Sequence, residues 1–137
     1  MERRQTSRPQ RVLLVDDSRD IREMWRMWLT FWGFSVEEAA NGAEAVAKAR
    51  RERPDLILMD LWMPVLDGIQ ATRQIKADPR TAQVPVLAVS AQVFSPAAED
   101  ALAAGCDTFL PKPVSPDELL EQIRYSFAQR RARPPSD

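Results

Sequence analysis

The sequence predicts an α/β fold in which five helices cover both faces of a doubly wound, five-stranded parallel sheet. Three observations indicate this fold. Short, almost continuous apolar runs alternate with longer segments whose apolar residues recur at helical spacing. The apolar runs lack the alternation of a strand with one face in water, so helices are expected on both faces. The 137 residues suffice for one domain with a hydrophobic core, and right-handed crossovers would wind the chain around the sheet.

The first half of the chain contains two strand and helix pairs. The run VLLVDD predicts a buried strand, and the next segment has apolar residues at helical spacing, namely Ile21, Trp25, Trp28, Leu29 and Trp32. Ser18 can cap the start of that helix and Gly33 its end. FSVEEA predicts a short strand, and NG predicts a turn. AEAVAKARRER consists of strong helix formers and is expected to end before Pro54.

The second half continues the pattern with three more pairs. DLILMD and VPVLAVSA predict buried strands, and CDTFLPKP predicts a short strand that enters a Pro-Lys-Pro turn. The helices are expected in IQATRQIKAD, SPAAEDALAAG and SPDELLEQIRYSFAQRR. Ser115, followed by Pro116, is a typical start for the last of them. We expect one domain over residues 10–130, with flexible tails at residues 1–9 and 131–137.

Composition excludes several classes of protein. The chain has no histidine, which excludes His-based acid–base catalysis and most zinc sites. It has neither a Walker A sequence nor a GxGxxG fingerprint. No apolar run or leader sequence indicates a membrane span or secretion, and a single cysteine, Cys106, favours the cytoplasm. The N-terminal arginines lie in a short segment without aromatic residues, so nucleic-acid binding is not expected.

Chemically capable side chains collect where the predicted strands end. Asp16 and Asp17 follow the first strand, and Asp60 follows the third. Ser90 follows the fourth strand, and Lys112 follows the fifth. Because ligands of doubly wound sheets bind at the carboxyl ends of the strands, these side chains are expected to converge. Three carboxylates at one edge would repel each other, and a hard divalent cation that prefers oxygen ligands resolves the repulsion.

These motifs resemble the receiver domain of bacterial two-component response regulators, of the stand-alone, single-domain type. The resemblance covers about residues 10–130 and rests on LLVDDS, LILMDLWMPVLDG, VLAVSA and FLPKPV, in this order and at strand ends. It implies the strand order 2-1-3-4-5. It also implies that the chain is a phosphorylated signalling protein rather than an enzyme with an external substrate, although it assists its own phosphorylation and dephosphorylation.

The resemblance assigns a role to each residue of the site. Asp60 would accept the phosphoryl group, and Lys112 and Ser90 would each contact a phosphoryl oxygen. Mg²⁺, or Mn²⁺ in its place, would be bound by Asp17, Asp60 and the backbone carbonyl of Trp62, with Asp16 acting through a water molecule. Ser90 and Phe109 would form the conformational switch. The expected phosphodonor is a histidine kinase or a histidine phosphotransfer protein, and the downstream partner is an unknown protein.

Two other functions stay open at this point. The chain could be a receiver-like interaction domain that is never phosphorylated, although the complete set of acids and Lys112 argues against this. It could also be an aspartyl-phosphate phosphatase of the haloacid dehalogenase kind, but Trp62 stands where that class has its second acid. The chain ends soon after the last predicted helix, so we expect no effector domain unless it is part of a longer protein, and homodimerisation stays open.

Two features depart from a plain receiver pattern. The ring of Trp62 could shield an acyl phosphate from water, while Gln92 could instead position a water molecule. The apolar arc of the first helix spans about 200°, which is wider than the roughly 100° stripe that a surface helix needs. Met24, Met27 and Phe31 form the surplus, which is either a wide core stripe or a surface for a protein partner, with a kinase or phosphotransfer protein as the hypothetical contact.

Overall fold

The computed structural model describes residues 9–61, 67–90 and 95–132. The strands are β1 (Arg11–Val15), β2 (Ser35–Ala39), β3 (Leu56–Asp60), β4 (Val86–Ser90) and β5 (Thr108–Pro111). The helices are α1 (Arg19–Phe31), α2 (Gly42–Glu52), α3 (Gly68–Ala77), α4 (Ser95–Ala104) and α5 (Pro116–Ala132). Within these ranges, no helix combines the length and the apolar character that crossing a bilayer requires. The predicted alternation of five strands and five helices is confirmed.

The sheet is parallel throughout and has the strand order β2-β1-β3-β4-β5, which confirms the predicted order. The first strand therefore lies between β2 and β3, and β3 is the central strand of the sheet. In the register of β1 and β3, Val15 pairs with Met59. The next residues, Asp16 and Asp60, consequently leave the sheet side by side at its carboxyl edge. The pairing of β1 with β3 thus brings together two acids that are more than forty positions apart in the sequence.

The strands bury both of their faces, as their continuous apolar runs predict. Alternate residues of β1 and β3 point to opposite layers of the core. The layer that contains residues of α1 and α5 comprises Val12, Leu14, Leu29, Val36, Leu56, Leu58, Leu87, Leu119, Ile123 and Phe127. The opposite layer includes Leu13, Val15, Ala45, Val46, Ala49, Ile57, Met59, Ala71, Ile75 and Ala101. Because core layers cover both faces of the sheet, the polar residues of the site lie at its rim, where the strands end.

Helix α1 buries a narrower stripe than its apolar sequence suggests. Leu29 is its fully buried residue, and Trp25 and Trp32 pack beside it against the core. Trp28, which the helical spacing predicts on the same face, has 38% of its surface exposed. At about 100° per residue, Trp28 lies about 100° from Leu29, just beyond the stripe that contacts the sheet. Trp28 therefore lies at the edge of the core stripe, on the side where Met24, Met27 and Phe31 are exposed.

A pair of substitutions on α1 separates its core stripe from its exposed face. We expect Leu29→Ala to lower the free energy of unfolding by about 3 kcal/mol, because it removes a fully buried side chain and leaves a cavity. Met27→Ala, in a side chain that is 73% exposed, is expected to change it by less than about 0.5 kcal/mol. Urea unfolding followed by circular dichroism measures both values. Equal losses in the two variants would contradict this division of the helix.

Candidate functional site

Three carboxylates meet at the carboxyl edge of the sheet. Asp16 and Asp17 follow β1, and Asp60 is the last residue of β3. One oxygen from each lies within 4.8 Å of the others. Asp16 and Asp60 are buried, whereas Asp17 is exposed. Three negative charges at this distance repel each other, and burial strengthens the repulsion because little water screens it.

Lys112 supplies positive charge to two of the three acids. Its Nζ lies 3.5 Å from Oδ2 of Asp16 and 3.9 Å from Oδ1 of Asp60. The residue follows β5, and its backbone N–H donates to the carbonyl of Ser90 at 2.8 Å. The peptide bond from Lys112 to Pro113 is cis. The end of β4 thus holds the backbone of the turn that directs the lysine toward the acids.

The loop that carries Asp16 is fixed by three hydrogen bonds. The backbone N–H of Asp16 donates to the carbonyl of Ala39, the last residue of β2, at 3.1 Å. Oδ1 of Asp16 accepts from the N–H of Ser18 at 2.8 Å, and the Ser18 side chain in turn caps α1. Nη1 of Arg22 donates to the Asp16 carbonyl at 2.7 Å. The first acid is therefore held by a strand, a helix cap and an arginine at once.

Arg22 and Glu38 support the site and were missed by sequence reasoning. Nε of Arg22 lies 3.0 Å from Oε1 of Glu38, and Nη1 of Arg26 also contacts this carboxylate. Burial alone would raise the pKa of Glu38, but the hydrogen bonds from Arg26 and Arg22 outweigh it and hold the pKa below its usual value. The available signal was the position of Arg22, one helical turn after the capping residue, where a long side chain reaches back over the loop.

The start of α3 positions the other buried acid. Asp67 caps this helix by accepting from the N–H of Gln70 at 2.9 Å. Next to it, a Cβ on Gly68 would lie 2.5 Å from the backbone oxygen of Asp60 and 2.7 Å from Cα of Leu61. Such approaches are too close for any side chain, so a glycine is required here. Asp67 thus begins the helix, and Gly68 lets it pack directly on Asp60.

The remaining predicted site residues lie at the same edge or outside the described ranges. Ser90 ends β4 and is buried. Phe109, in β5, is half-buried and packs against the core layer that contains residues of α2, α3 and α4. Trp62 and Gln92 lie outside the described residues, so their predicted roles, including the Trp62 carbonyl as a metal ligand, stay predictions. The structure thus brings together Asp16, Asp17, Asp60 and Lys112, with Ser90 on the adjacent strand.

The donor set fits a hard divalent cation. Three carboxylates and one ammonium group leave the cluster with a formal charge of −2. All candidate ligand atoms in the cluster are oxygens, which Mg²⁺ and Mn²⁺ prefer over softer ligands. Because Asp17 is exposed, the cluster opens to solvent, so a cation can keep water ligands and a phosphate group can approach.

Comparison with known proteins settles the family. A family model described as the response regulator receiver domain matches residues 12–124. The chain belongs to this family. Receiver domains bind Mg²⁺ at an acidic pocket, and in this chain Asp16, Asp17 and Asp60 form an acidic cluster whose ligand atoms suit such an ion. The predicted family is therefore confirmed, along with its fold.

Similar curated proteins are longer response regulators. The receiver domain is 40% identical over 124 residues to "Response regulator MprA" of Mycobacterium leprae, which covers 90% of this chain and 53% of that protein. The protein of the same name from Mycobacterium avium is 39% identical over 127 residues, covering 93% and 54%. The chain thus spans about half the length of the curated relatives it matches.

Similar solved structures include other receiver domains. One is the receiver domain of the sensor histidine kinase PA1611 of Pseudomonas aeruginosa, which has a magnesium ion in its active-site cleft. It is 36% identical to this chain, with a TM-score of 0.83, and the match covers 88% of this chain and 98% of that one. The chemotaxis protein CheY4 of Vibrio cholerae is 33% identical, with a TM-score of 0.82 and coverage of 86% and 98%. CheY in the Borrelia burgdorferi CheX–CheY–BeF3–Mg complex is 30% identical, with a TM-score of 0.80 and coverage of 87% and 90%.

Proposed function

We propose that this receiver domain accepts a phosphoryl group on Asp60 from a phosphohistidine of a histidine kinase or a phosphotransfer protein. The observation that carries the proposal is the position of Asp60 among the charges of the site. Its carboxylate lies within reach of two further acids and has the ammonium group of Lys112 at 3.9 Å. Receiver domains as a family interact with histidine kinases and downstream partners.

The proposed reaction is a displacement at phosphorus. One Asp60 oxygen forms a bond to phosphorus while the P–N bond of phosphohistidine breaks, and the bonding electrons return to the imidazole nitrogen. The products are an acyl phosphate and a neutral or protonated histidine on the donor. Lys112 stabilises the negative charge of the phosphoryl oxygens, and the hydroxyl of Ser90 donates to one of them. Asp60 is the nucleophile because a carboxylate forms an acyl phosphate directly.

A divalent cation completes the proposed site. Asp17 and Asp60 would hold Mg²⁺ or Mn²⁺ together with the Trp62 carbonyl, while Asp16, whose Oδ1 already accepts from Ser18, would act through a water molecule. When bound, the cation supplies positive charge that offsets the acids and the phosphoryl oxygens. The chain itself contributes the fixed position of Asp16, the approach of α3 to Asp60, and the lysine.

The proposed output is a change at β4 and β5. Ser90 lies at the end of β4, and Phe109 pairs with Ala88 of the same strand. A phosphoryl group that draws in the Ser90 hydroxyl would move the loop after β4, and the half-buried ring of Phe109 can turn inward as that loop moves. The surface around β4, α4 and β5 then differs between the two states and is read by the downstream protein.

Acetyl phosphate tests the proposal without a protein donor. In the presence of Mg²⁺, we expect intact-mass spectrometry to show one added phosphoryl group, with acetate released as its P–O bond breaks. Asp60→Ala should abolish the addition, because no other residue replaces the nucleophile. Asp20→Ala, which removes an exposed acid of α1 outside the cluster, is the control and should react like the wild type.

Two results would contradict the proposal in favour of the alternatives. No added mass at any Mg²⁺ concentration would indicate an interaction domain that is not phosphorylated. Repeated turnover of an external phosphoester such as p-nitrophenyl phosphate, lost in Asp60→Ala, would indicate a phosphatase. Peptide mapping of the phosphorylated protein then locates the added group, which the proposal places on Asp60.

A further inference from the structure

The side chain of Arg22 joins the loop after β1 to the far part of β2. Its Nη1 donates to the backbone carbonyl of Asp16 at 2.7 Å, and its Nε donates to Oε1 of Glu38 at 3.0 Å. Only 15% of this side chain is exposed. Because the donors of a guanidinium group lie in a fixed plane, two simultaneous bonds also fix the direction of the group. The loop is therefore held at a set position relative to the sheet.

The carbonyl that accepts from Arg22 belongs to the peptide group between the two adjacent acids. A peptide group is planar, so its oxygen, its nitrogen and the Cα atoms on both sides lie in one plane. The backbone N–H of Asp16 already donates to the carbonyl of Ala39. With its own carbonyl bound as well, the backbone of Asp16 is held on both sides. The bond from Arg22 thus also sets the orientation in which the backbone of Asp17 begins.

Asp17 depends on its backbone more than its neighbour Asp16 does. The Asp16 carboxylate accepts from the N–H of Ser18, and Nζ of Lys112 lies 3.5 Å from it. The Asp17 carboxylate is exposed, and in the described part of the chain no side chain or N–H group bonds to it. One of its oxygens nevertheless lies within 4.8 Å of oxygens from the other two acids. The direction of this carboxylate therefore follows from the orientation of its backbone.

The charge of Arg22 does not explain its place beside a cation site. A positive group close to the acid cluster opposes the binding of a cation. Glu38 offsets the charge of Arg22 and also forms an ion pair with Arg26. In the loop, Arg22 reaches the neutral carbonyl of Asp16. The contribution of Arg22 to the cluster is therefore geometric, and geometry and charge predict opposite effects when this side chain is removed.

We propose that Arg22 is a positioning residue for the cation site. It orients the peptide group between Asp16 and Asp17 so that the Asp17 carboxylate points into the acid cluster before a cation binds. A ligand that is already oriented loses less conformational freedom on binding, so the affinity for the cation is higher. The inference rests on the proposed function, because it takes Asp17 as a direct ligand of Mg²⁺. Arg22 itself contacts neither the cation nor the phosphoryl group.

Isothermal titration of the metal-free protein with MgCl₂ tests this role. We expect Arg22→Met to bind Mg²⁺ about 10-fold more weakly, because loss of a group that orients a metal ligand costs a factor of about 10 to 100 in affinity. A role through charge alone predicts the opposite, namely tighter binding once the positive group is gone. Arg22→Lys keeps the charge and a donor but loses the fixed fork, and its affinity should lie between those of the wild type and Arg22→Met.

Arg26→Met is the matched control. Arg26 donates to the same Glu38 carboxylate, and its removal deletes the same positive charge. Among the described residues, its bonding partner is Glu38 and not the loop after β1. We expect its Mg²⁺ affinity to stay within a factor of about 2 of the wild type, because an exposed ion pair contributes little. An equal weakening in Arg22→Met and Arg26→Met would contradict a role through the Asp16 carbonyl.

Amide relaxation measured by NMR tests the positioning without any cation. In the metal-free wild type, we expect the Asp17 N–H to have an order parameter of about 0.85, typical of a rigid backbone. In Arg22→Met, this value should fall toward about 0.6, typical of a flexible one. The Asp16 N–H is the internal reference, because its bond to the Ala39 carbonyl stays in place. Its order parameter should change little, and the dispersion of the remaining amide signals verifies that the variant is folded.

The reaction with acetyl phosphate separates this proposal from the one for Asp60. In Arg22→Met, the rate should be reduced at low Mg²⁺ and should return close to that of the wild type at saturating Mg²⁺, because Asp60 and Lys112 are intact. If even the wild type is not phosphorylated, the proposed function fails, while the titration and the order parameter still decide the role of Arg22. Mg²⁺ binding in Arg22→Met as tight as in the wild type, or an Asp17 N–H that stays rigid, would overturn the inference.

Discussion

Replacing Lys112 by alanine is expected to slow phosphorylation by acetyl phosphate by roughly 100-fold. In comparable sites, removal of one group that stabilises developing negative charge costs a factor of about 100 to 1,000 in rate. Lys112 is such a group, because its Nζ lies 3.9 Å from Asp60 and so adjoins the phosphoryl oxygens once they arrive. Intact-mass spectrometry as a function of time, at saturating Mg²⁺, measures the rate.

The same substitution is expected to strengthen the binding of Mg²⁺. Without the lysine, the cluster carries three negative charges and no partly compensating ammonium group. The attraction for a divalent cation therefore increases, while the rate of phosphorylation decreases. Isothermal titration with Mg²⁺ should show binding that is several-fold tighter than in the wild type. A variant that had merely lost its structure would bind the cation more weakly.

Two control variants isolate the charge of Lys112 from its shape. Lys112→Arg keeps the charge but spreads it over a planar group, so we expect an intermediate rate and no tightening of Mg²⁺ binding. Lys48→Ala removes a lysine that donates to the Glu38 carbonyl instead of to the acid cluster, and its rate should stay close to that of the wild type. A rate in Lys112→Ala within a factor of about 3 of the wild type would contradict the assigned role.

The acid cluster was predictable because its position depends on topology more than on side-chain detail. Parallel strands end at one edge of the sheet, so acids at the ends of two adjacent strands must meet. The continuous apolar runs before Asp16 and Asp60 were sufficient to identify both strands as buried in an α/β fold, and the resemblance to receiver domains implied the strand order that makes them neighbours. The pairing of Val15 with Met59 then makes the two acids adjacent, as expected. No knowledge of side-chain rotamers was needed for this step.

Other features depend on distances that a linear pattern does not contain. The helical spacing groups Trp28 with Leu29, but the angle at which α1 lies on the sheet decides which of them is buried. Arg22 matters because its side chain reaches the Asp16 carbonyl, which requires the loop to turn back toward the helix. The contact of Gly68 with Asp60 depends on how closely α3 approaches β3. Composition and periodicity contain none of these three distances.

The approach of α3 to β3 leads to a second large effect, at Gly68. Gly68→Ala is expected to lower the free energy of unfolding by about 2–3 kcal/mol, the usual cost of overpacking. The new Cβ would lie 2.5 Å from the Asp60 backbone oxygen and 2.7 Å from Cα of Leu61. Both neighbours are backbone atoms, so neither can rotate away. The better helix propensity of alanine, worth at most about 1 kcal/mol, does not offset the clash.

The clash at Gly68 should also slow phosphorylation of the protein. Relief of the contact requires a shift of α3 or of the Asp60 backbone, and a displacement of about 1 Å costs a reacting group up to about 100-fold in rate. We therefore expect phosphorylation of Gly68→Ala by acetyl phosphate to be at least about 10-fold slower, under conditions in which urea unfolding shows the variant to be fully folded. Stability and rate would decrease together because one contact affects both.

Gly33→Ala is the matched control for this variant. Its Cβ would meet nothing within 4 Å, but its φ of +96° is unfavourable for alanine. We expect a loss of about 1 kcal/mol from backbone strain alone, with no change in the rate of phosphorylation, because Gly33 follows α1 at the end far from the acids. If both variants lost stability but reacted like the wild type, packing at Gly68 would support the fold without positioning Asp60. A slower reaction in Gly68→Ala alone would show that the close approach of helix and strand, permitted by the missing Cβ, holds the phosphoacceptor in place.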